Sequence, residues 1–271
     1  MLIRAYSINT YKSNNPAAVR DFVMSEIKND PTSLCVFGLQ EIDVGAVRSG
    51  NVNALEVIAG GDALNGGLPQ FFARSIAFDG SGEVLAPHAS GDNASLFEYG
   101  IGLVASHPIA QAERVALGPN EALFWQRSTP PDFYDWETEP RTAIIANMIT
   151  PNGSLWVINT HLAYSPDRSV RSPLRAMQIE ALLAAAKEII PPNVPTIVMG
   201  DFNATVANPD LEPLFKQFKI RTPKGPTYTN GRGTNAQIDY ICSHGLTPLP
   251  PMTAVAASFS DHKIVRALFK F

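Results

Sequence analysis

Ser258-Phe259-Ser260-Asp261-His262 stands directly ahead of the strand-like run Ile264-Val265-Arg266-Ala267-Leu268-Phe269. That order puts a carboxylate and an imidazole side by side at one strand mouth. Such a pair serves a site where something is held by oxygen ligands while something else gives up a proton. Histidine suits the second task because its unperturbed titration lies near neutral pH. Asp-His also occurs in ordinary surface turns, so the dipeptide needs company elsewhere in the chain before it signifies chemistry.

The company lies at the ends of other strand-like runs. Ile3 to Ile8 ends in Asn9, Leu34 to Leu39 in Gln40-Glu41, Leu155 to Thr160 in His161, and Thr196 to Met199 in Gly200-Asp201-Phe202-Asn203. Asp239 sits inside the apolar run Ile238 to Cys242, where an unpaired carboxylate is costly. Further strands are expected over Phe71 to Phe78, Ile101 to Ala105 and Thr142 to Ile149. Taken singly, each polar residue has a structural explanation: Asn9 can cap a turn, Glu41 can be solvated, and Gly-Asp-Phe-Asn can be a turn. Six such placements at strand ends in one chain exceed what turns alone account for, and strand ends are where sheet proteins build sites.

Helices are signalled between the strands. Asn15-Pro16, Ser172-Pro173 and Asn208-Pro209 each join a capping side chain to a proline at the first helical position. Apolar residues then follow at helical spacing: Val19, Phe22, Val23 and Ile27; Leu174, Met177, Ala181, Leu182, Ala185 and Ile189; Leu211, Leu214, Phe215 and Phe218. Asn53 to Leu64 carries a weaker helical signal. Gly60 to Gly67 and Gly80 to Asn93 read as loops. No repeat and no linker divides the 271 residues, so one α/β domain is expected, with stacked sheets flanked by helices.

Composition sets bounds on function. Hydrophobic residues make up 45% and charged residues 17%, enough for a substantial core. A formal net charge of −4 argues against holding nucleic acid by bulk charge, although local basic patches remain open. Cys35 and Cys242 lie in apolar runs without zinc-type spacing and read as buried thiols. No apolar run has the length to cross a bilayer. Met1 to Ile8 alternates like a strand rather than a leader, which reads as cytoplasmic; a mature secreted protein behind a new Met reads the same.

Together, Asn9, Leu39-Gln40-Glu41, Asn159-Thr160-His161-Leu162, Gly200-Asp201-Phe202-Asn203, Ile238-Asp239-Tyr240 and Ser260-Asp261-His262 resemble, in order, the motifs of the endonuclease/exonuclease/phosphatase superfamily. Gly100-Ile101-Gly102-Leu103, Glu139-Pro140-Arg141, and Arg175 with Gln178 add supporting matches over nearly the whole chain. The resemblance implies the DNase I-like fold, a four-layer sandwich of two packed β-sheets with helices outside. It implies a divalent metal at the sheet mouth, Mg²⁺ with Mn²⁺ as the alternative, held by Glu41, Asn9 and Asp261, a hard-oxygen set suited to such ions. It further implies that His262 takes a proton from the attacking water while Asp239 fixes its ring. Asp201 would position that water, and Asn203 and His161 would donate to phosphoryl oxygens. Tyr99 would place an aromatic near the phosphate, and Arg141 would lie toward substrate as a pairing residue; Arg232, read from its basic stretch and not from the resemblance, is the other candidate on the substrate side. Metal, neutral donors and a base are what in-line hydrolysis of an anionic phosphate ester requires.

The tryptophan-rich and arginine-rich signatures of inositol polyphosphate 5-phosphatases are absent after Gly200-Asp201, so the resemblance stops short of a subfamily. Lys216, Lys219, Arg221, Lys224 and Arg232 form a stretch without acidic residues that could follow a polyanion or simply face solvent. The aromatic-acidic loop containing Phe124, Trp125, Phe133, Tyr134 and Trp136 could stack bases or meet a membrane surface, but its acidic residues disfavour both. The reading favours a monomeric hydrolase of a phosphodiester in nucleic acid or a nucleotide. The alternatives are a phosphomonoesterase, a phospholipid hydrolase of the sphingomyelinase or phosphoinositide type, and a non-catalytic module that keeps the fold.

Overall fold

The computed structural model describes residues 1–78, 84–85, 97–118, 139–222, 224–229, 233 and 235–271. Two sheets carry the architecture. The seven-stranded sheet has the order β14 (Thr247–Ala256), β15 (Lys263–Lys270), β1 (Leu2–Asn9), β2 (Leu34–Val44), β5 (Phe97–Ala105), β3 (Gln70–Phe78) and β4 (Val84–Leu85). The six-stranded sheet has the order β10 (Lys219–Ile220), β13 (Asp239–His244), β9 (Thr196–Asp201), β8 (Gly153–His161), β7 (Thr142–Thr150) and β6 (Ile109–Ala116). A small ribbon of β11 (Tyr228–Thr229) and β12 (Asn235–Ala236) stands beside them.

The sheets pack face to face through one apolar layer that includes Val36, Leu103, Ile144, Val157, Met199, Ile241 and Val265, all fully buried. Helices cover the outer faces. Against the seven-stranded sheet lie α1 (Pro16–Asn29), capped by Asn15, and α2 (Ala54–Ala59), capped by Asn53. Against the six-stranded sheet lie α3 (Pro173–Ile189), capped by Ser172, and the short α4 (Glu212–Gln217). This is the expected four-layer sandwich. No described helix is long and apolar enough to cross a membrane. Both cysteines are buried and free.

Two expectations shift in detail, and two strands were not expected. The helix expected from Asn208-Pro209 begins as a 3₁₀ turn over Pro209–Leu211 and becomes α-helical only at Glu212. Asn53 to Leu64 stops as a helix at Gly60, whose φ of +80° places a left-handed cap there. The edge strands β6 and β14 carry no strong sequence signal, because β6 is largely exposed and β14 contains three prolines.

A polar link crosses the apolar layer just beneath the site. Asn159 on β8 accepts from Gln40 Nε2 at 2.8 Å, and its amide donates to the carbonyls of Leu39 at 3.0 Å and Gly102 at 2.8 Å. Gly38 leaves room for it, since a Cβ there would lie 2.8 Å from Asn159 Oδ1 and 2.6 Å from Met199 Sδ. Asn159→Ala strands buried partners on the opposite sheet and is expected to cost about 2–3 kcal/mol in urea unfolding. A loss below ~0.5 kcal/mol would show that the link does not hold the sheets in register.

Candidate active site

Strand register sets three of the site's side chains in one row. His161 on β8 pairs with Asp201 on β9, and Asp201 pairs with Asp239 on β13. Gly200 makes the close passage possible: at φ +150°, a Cβ there would lie 1.9 Å from the Thr160 carbonyl oxygen. The facing sheet supplies the other half, with Asn9 at the end of β1, Glu41 on β2, and Asp261-His262 just before β15.

Glu41 does not end its strand as expected. β2 continues to Val44, and its register against β5 shifts between Gln40 and Ile42. Glu41 has φ +62°, so a bulge turns its side chain out of the ladder and toward the site. The neighbouring turn is strained as well. Tyr11, Lys12 and Ser13 all have positive φ, between +50° and +55°, each costing about 1–2 kcal/mol for a non-glycine residue. Hydrogen bonds hold it there: Ser13 Oγ and Thr10 Oγ1 donate to the Glu41 carbonyl, and the Lys12 amide donates to Glu41 Oε2 at 3.0 Å.

Across the sheet mouth, Asn9 Nδ2 reaches Glu41 Oε1 at 3.1 Å and Asp201 Oδ2 at 3.2 Å. His262 Nδ1 faces both oxygens of Asp239, at 2.9 and 3.1 Å, and its Nε2 lies 3.8 Å from Asp201 Oδ2. The Asp–His couple therefore bridges the two sheets. Asp201, Asp239 and His262 also form a compact group of potential metal-binding atoms. Asp239, however, is committed to the imidazole, and an ion held by all three would displace that contact.

Buried carboxylates at this density set the proton affinities. Burial, followed by the Asp239 charge, pushes Asp201 up to about 7. Burial pulls His262 down, but Asp239, Asp201 and Asp261 outweigh it and raise the imidazole to about 10. His161 falls well below the ordinary histidine value through burial, then through the charges of Arg141 and His262. A neutral His161 accepts at Nε2 from Asn203 Nδ2 at 3.0 Å, and the same amide also donates to the Leu162 carbonyl at 3.0 Å. Both amide hydrogens of Asn203 are thus engaged within the protein. Donation to a substrate oxygen, as expected from the sequence, would replace one of these contacts.

The fit for a divalent cation is favourable. Asp261 Oδ1 is buried without a hydrogen-bond partner, and burial, with Glu41 nearby, raises its proton affinity. A hard cation beside Glu41 and Asp261 would satisfy that oxygen and offset the crowded charge.

A family model described as the endonuclease/exonuclease/phosphatase family matches residues 6–262. The chain belongs to that family. Its members hydrolyse phosphate esters and generally use divalent metals. No curated protein matches the chain. Among solved structures, an endonuclease/exonuclease/phosphatase from Beutenbergia cavernae is 17% identical with a TM-score of 0.66, over 99% of this chain and 71% of that one. Humanized D. rerio TDP2 is 15% identical with a TM-score of 0.60, over 100% and 99% of the two chains. A mannosyl-6-phosphatase from Bacteroides thetaiotaomicron is 13% identical with a TM-score of 0.59, over 99% and 100%. At these identities the likeness establishes the fold.

Glu41, Arg141, His161, Asp201, Asn203, Asp261 and His262 line a cavity of about 440 Å³, whereas Asn9 and Asp239 are not on its lining and reach it through Asp201 and His262. Arg141 is buried and paired with Glu139 at 3.0 Å. Tyr99 does not line the cavity. It is buried on β5 opposite Asp43, with the Arg48 guanidinium 5.6 Å over its ring, because the Glu41 bulge directs the site away from that part of β2. Arg232 and residues 119–138, including the aromatic loop, lie outside the described residues. Lys216, Lys219, Arg221 and Lys224 stand away from the cavity, with Arg221 bonded to Ser243 and Lys216 to Glu212. Tyr11, Lys12, Tyr164, Arg168 and Tyr228 also line the cavity. Sequence reasoning missed them because they sit on turns and a two-residue strand without periodic pattern.

In metal-free protein, NMR of the imidazole rings is expected to show His262 titrating near pH 10 and His161 neutral at pH 6.5. A His262 titration at the ordinary value would contradict the charge crowding described above.

Proposed function

We propose that the protein is a divalent-metal-dependent phosphoesterase that hydrolyses a phosphodiester of a nucleotide or nucleic acid by attack of water. The observation that best supports this is the Asp239–His262 couple, whose Nε2 faces Asp201, with an unsatisfied carboxylate oxygen on the adjacent residue Asp261. The whole chain would act as one monomeric unit.

Glu41 and Asp261, with Asn9 beside them, would hold the cation, whose charge draws phosphoryl oxygens and offsets the carboxylates that keep a proton on His262. Asp239 accepts from His262 Nδ1–H, fixes the tautomer and leaves Nε2 as the base. Asp201 orients the water through the oxygen that faces His262. Asn203 exchanges its hydrogen bond to His161 for a contact to a phosphoryl oxygen as charge builds there, and His161 donates beside it once it adopts the Nε2–H tautomer. Arg141, held by Glu139, contributes a fixed positive charge to the same wall.

The test is a panel of plasmid DNA, RNA, a bis-aryl phosphate, an aryl phosphomonoester, sphingomyelin and phosphoinositides, each with Mg²⁺ or Mn²⁺. Hydrolysis of the diesters that stops with EDTA is expected. His262→Ala and Glu41→Ala should each lower kcat at least ~10³-fold with circular dichroism unchanged. Wild-type-like turnover in either variant would refute the assigned roles, and turnover confined to monoesters or lipids would refute the substrate class.

A further inference from the structure

One wall of the cavity contains a cation that the proposed hydrolysis leaves unused. The Arg168 guanidinium carbon lies 4.2 Å from the Tyr228 ring centroid and 5.6 Å from that of Tyr164. Arg168 Nε is buried without a hydrogen-bond partner, and among the described residues the guanidinium makes no hydrogen bond or ion pair. Stacking on the two rings supports the guanidinium, but it leaves Nε without a partner. A guanidinium stacked against aromatic rings on a cavity wall, with its Nε unpaired, is prepared for bidentate contact with a phosphate or carboxylate.

Both walls around the fork are fixed. The Arg168 carbonyl accepts from the Thr205 amide at 3.0 Å and Asn208 Nδ2 at 2.9 Å, which ties this turn to the loop following Asp201 and Asn203. Tyr228 is anchored through its neighbours: the Thr229 amide donates to the Asp261 carbonyl at 3.1 Å, and the Lys263 amide donates to Thr227. Its ring lies 4.8 Å from the His262 ring. Arg168 is therefore one aromatic ring beyond the imidazole, in the same cavity, and close enough for its charge to lower the proton affinity of Asp201.

We propose that Arg168, braced by Tyr164 and Tyr228, is a specificity-determining residue that binds a second phosphoryl group of the substrate, next to the one being hydrolysed. This rests on the phosphoesterase reading above and narrows it to substrates with two phosphoryl groups near each other. A nucleotide carrying an additional phosphate and a sugar bisphosphate share that chemistry.

Two measurements test it. The first compares the 5′-(4-nitrophenyl) phosphate ester of thymidine with and without a 3′-phosphate. Wild type is expected to favour the 3′-phosphorylated ester in kcat/KM, chiefly through KM. Arg168→Gln should cut that preference about tenfold, equivalent to about 1.4 kcal/mol, and Arg168→Lys should cut it less, because the charge remains while the bidentate fork is lost. Arg171→Gln, on the same turn but solvent-exposed beside Asp210, should leave the ratio unchanged. An equal loss on both esters in Arg168→Gln would overturn the inference.

The second measurement needs no turnover. Calorimetry follows thymidine 3′,5′-bisphosphate, thymidine 5′-monophosphate and fructose 1,6-bisphosphate binding to wild type and Arg168→Gln. Tighter binding of either bisphosphate than of the monophosphate, lost in the variant, supports the subsite, and the preferred bisphosphate identifies the source. No preference in wild type, or one retained in the variant, overturns it. Binding preference without hydrolysis of any ester would instead refute the phosphoesterase reading while leaving the subsite standing.

Discussion

Everything at the site depends on two sheets meeting in one register. Asn9, Glu41, Asp261 and His262 come from the seven-stranded sheet, and His161, Asp201, Asn203 and Asp239 from the six-stranded one. Neither half is chemically useful alone. The hydrogen bonds described at the mouth join the halves through polar groups: His262 to Asp239, and Asn9 to Asp201. Asn159, reaching from β8 to Leu39, Gln40 and Gly102, holds the same register one layer deeper. A slip of one residue in either sheet would turn every site side chain to the opposite face.

That convergence concentrates negative charge. Asp201 and Asp239 are directly paired, and Glu41 and Asp261 lie just across the gap. Such crowding is destabilising unless protons or cations balance it. In the metal-free molecule His262 holds a proton against burial for that reason. In the proposed reading a divalent ion takes over much of this balancing role and frees the imidazole to act as a base. The strain in the turn of Tyr11 to Ser13 and in Glu41 fits the same view, because backbone held in unfavourable conformations gathers where a side chain must be aimed.

The strand ends were readable because polar residues interrupting apolar runs are costly without a purpose. Asn9, His161, Asp201, Asn203, Asp239 and His262 all came from that signal, and the structure brings them together. Glu41 was found, but its bulge was not, since nothing in Leu39-Gln40-Glu41-Ile42 departs from strand composition. Tyr99 shows the limit of motif reading: lying beside the Gly-Ile-Gly run places it on β5, not in the cavity. Arg168 and Tyr228 were invisible for the opposite reason. Their positions depend on turn geometry and on the ribbon's docking against Asp261 to Lys263, which no local periodicity encodes. The capping prolines located α1 and α3 well, whereas Asn208-Pro209 opened only a 3₁₀ turn before the short α4.

The central claim is that an ion sits between Glu41 and Asp261, in front of the Asp239–His262 couple. Titrating Mn²⁺ into isotope-labelled protein tests it most directly, through paramagnetic broadening of NMR signals. The account predicts that signals of Asn9, Glu41, Asp261 and His262 broaden first, and that Glu41→Gln weakens the effect at the same positions. Broadening centred on any other part of the molecule, or unaffected by Glu41→Gln, would contradict it.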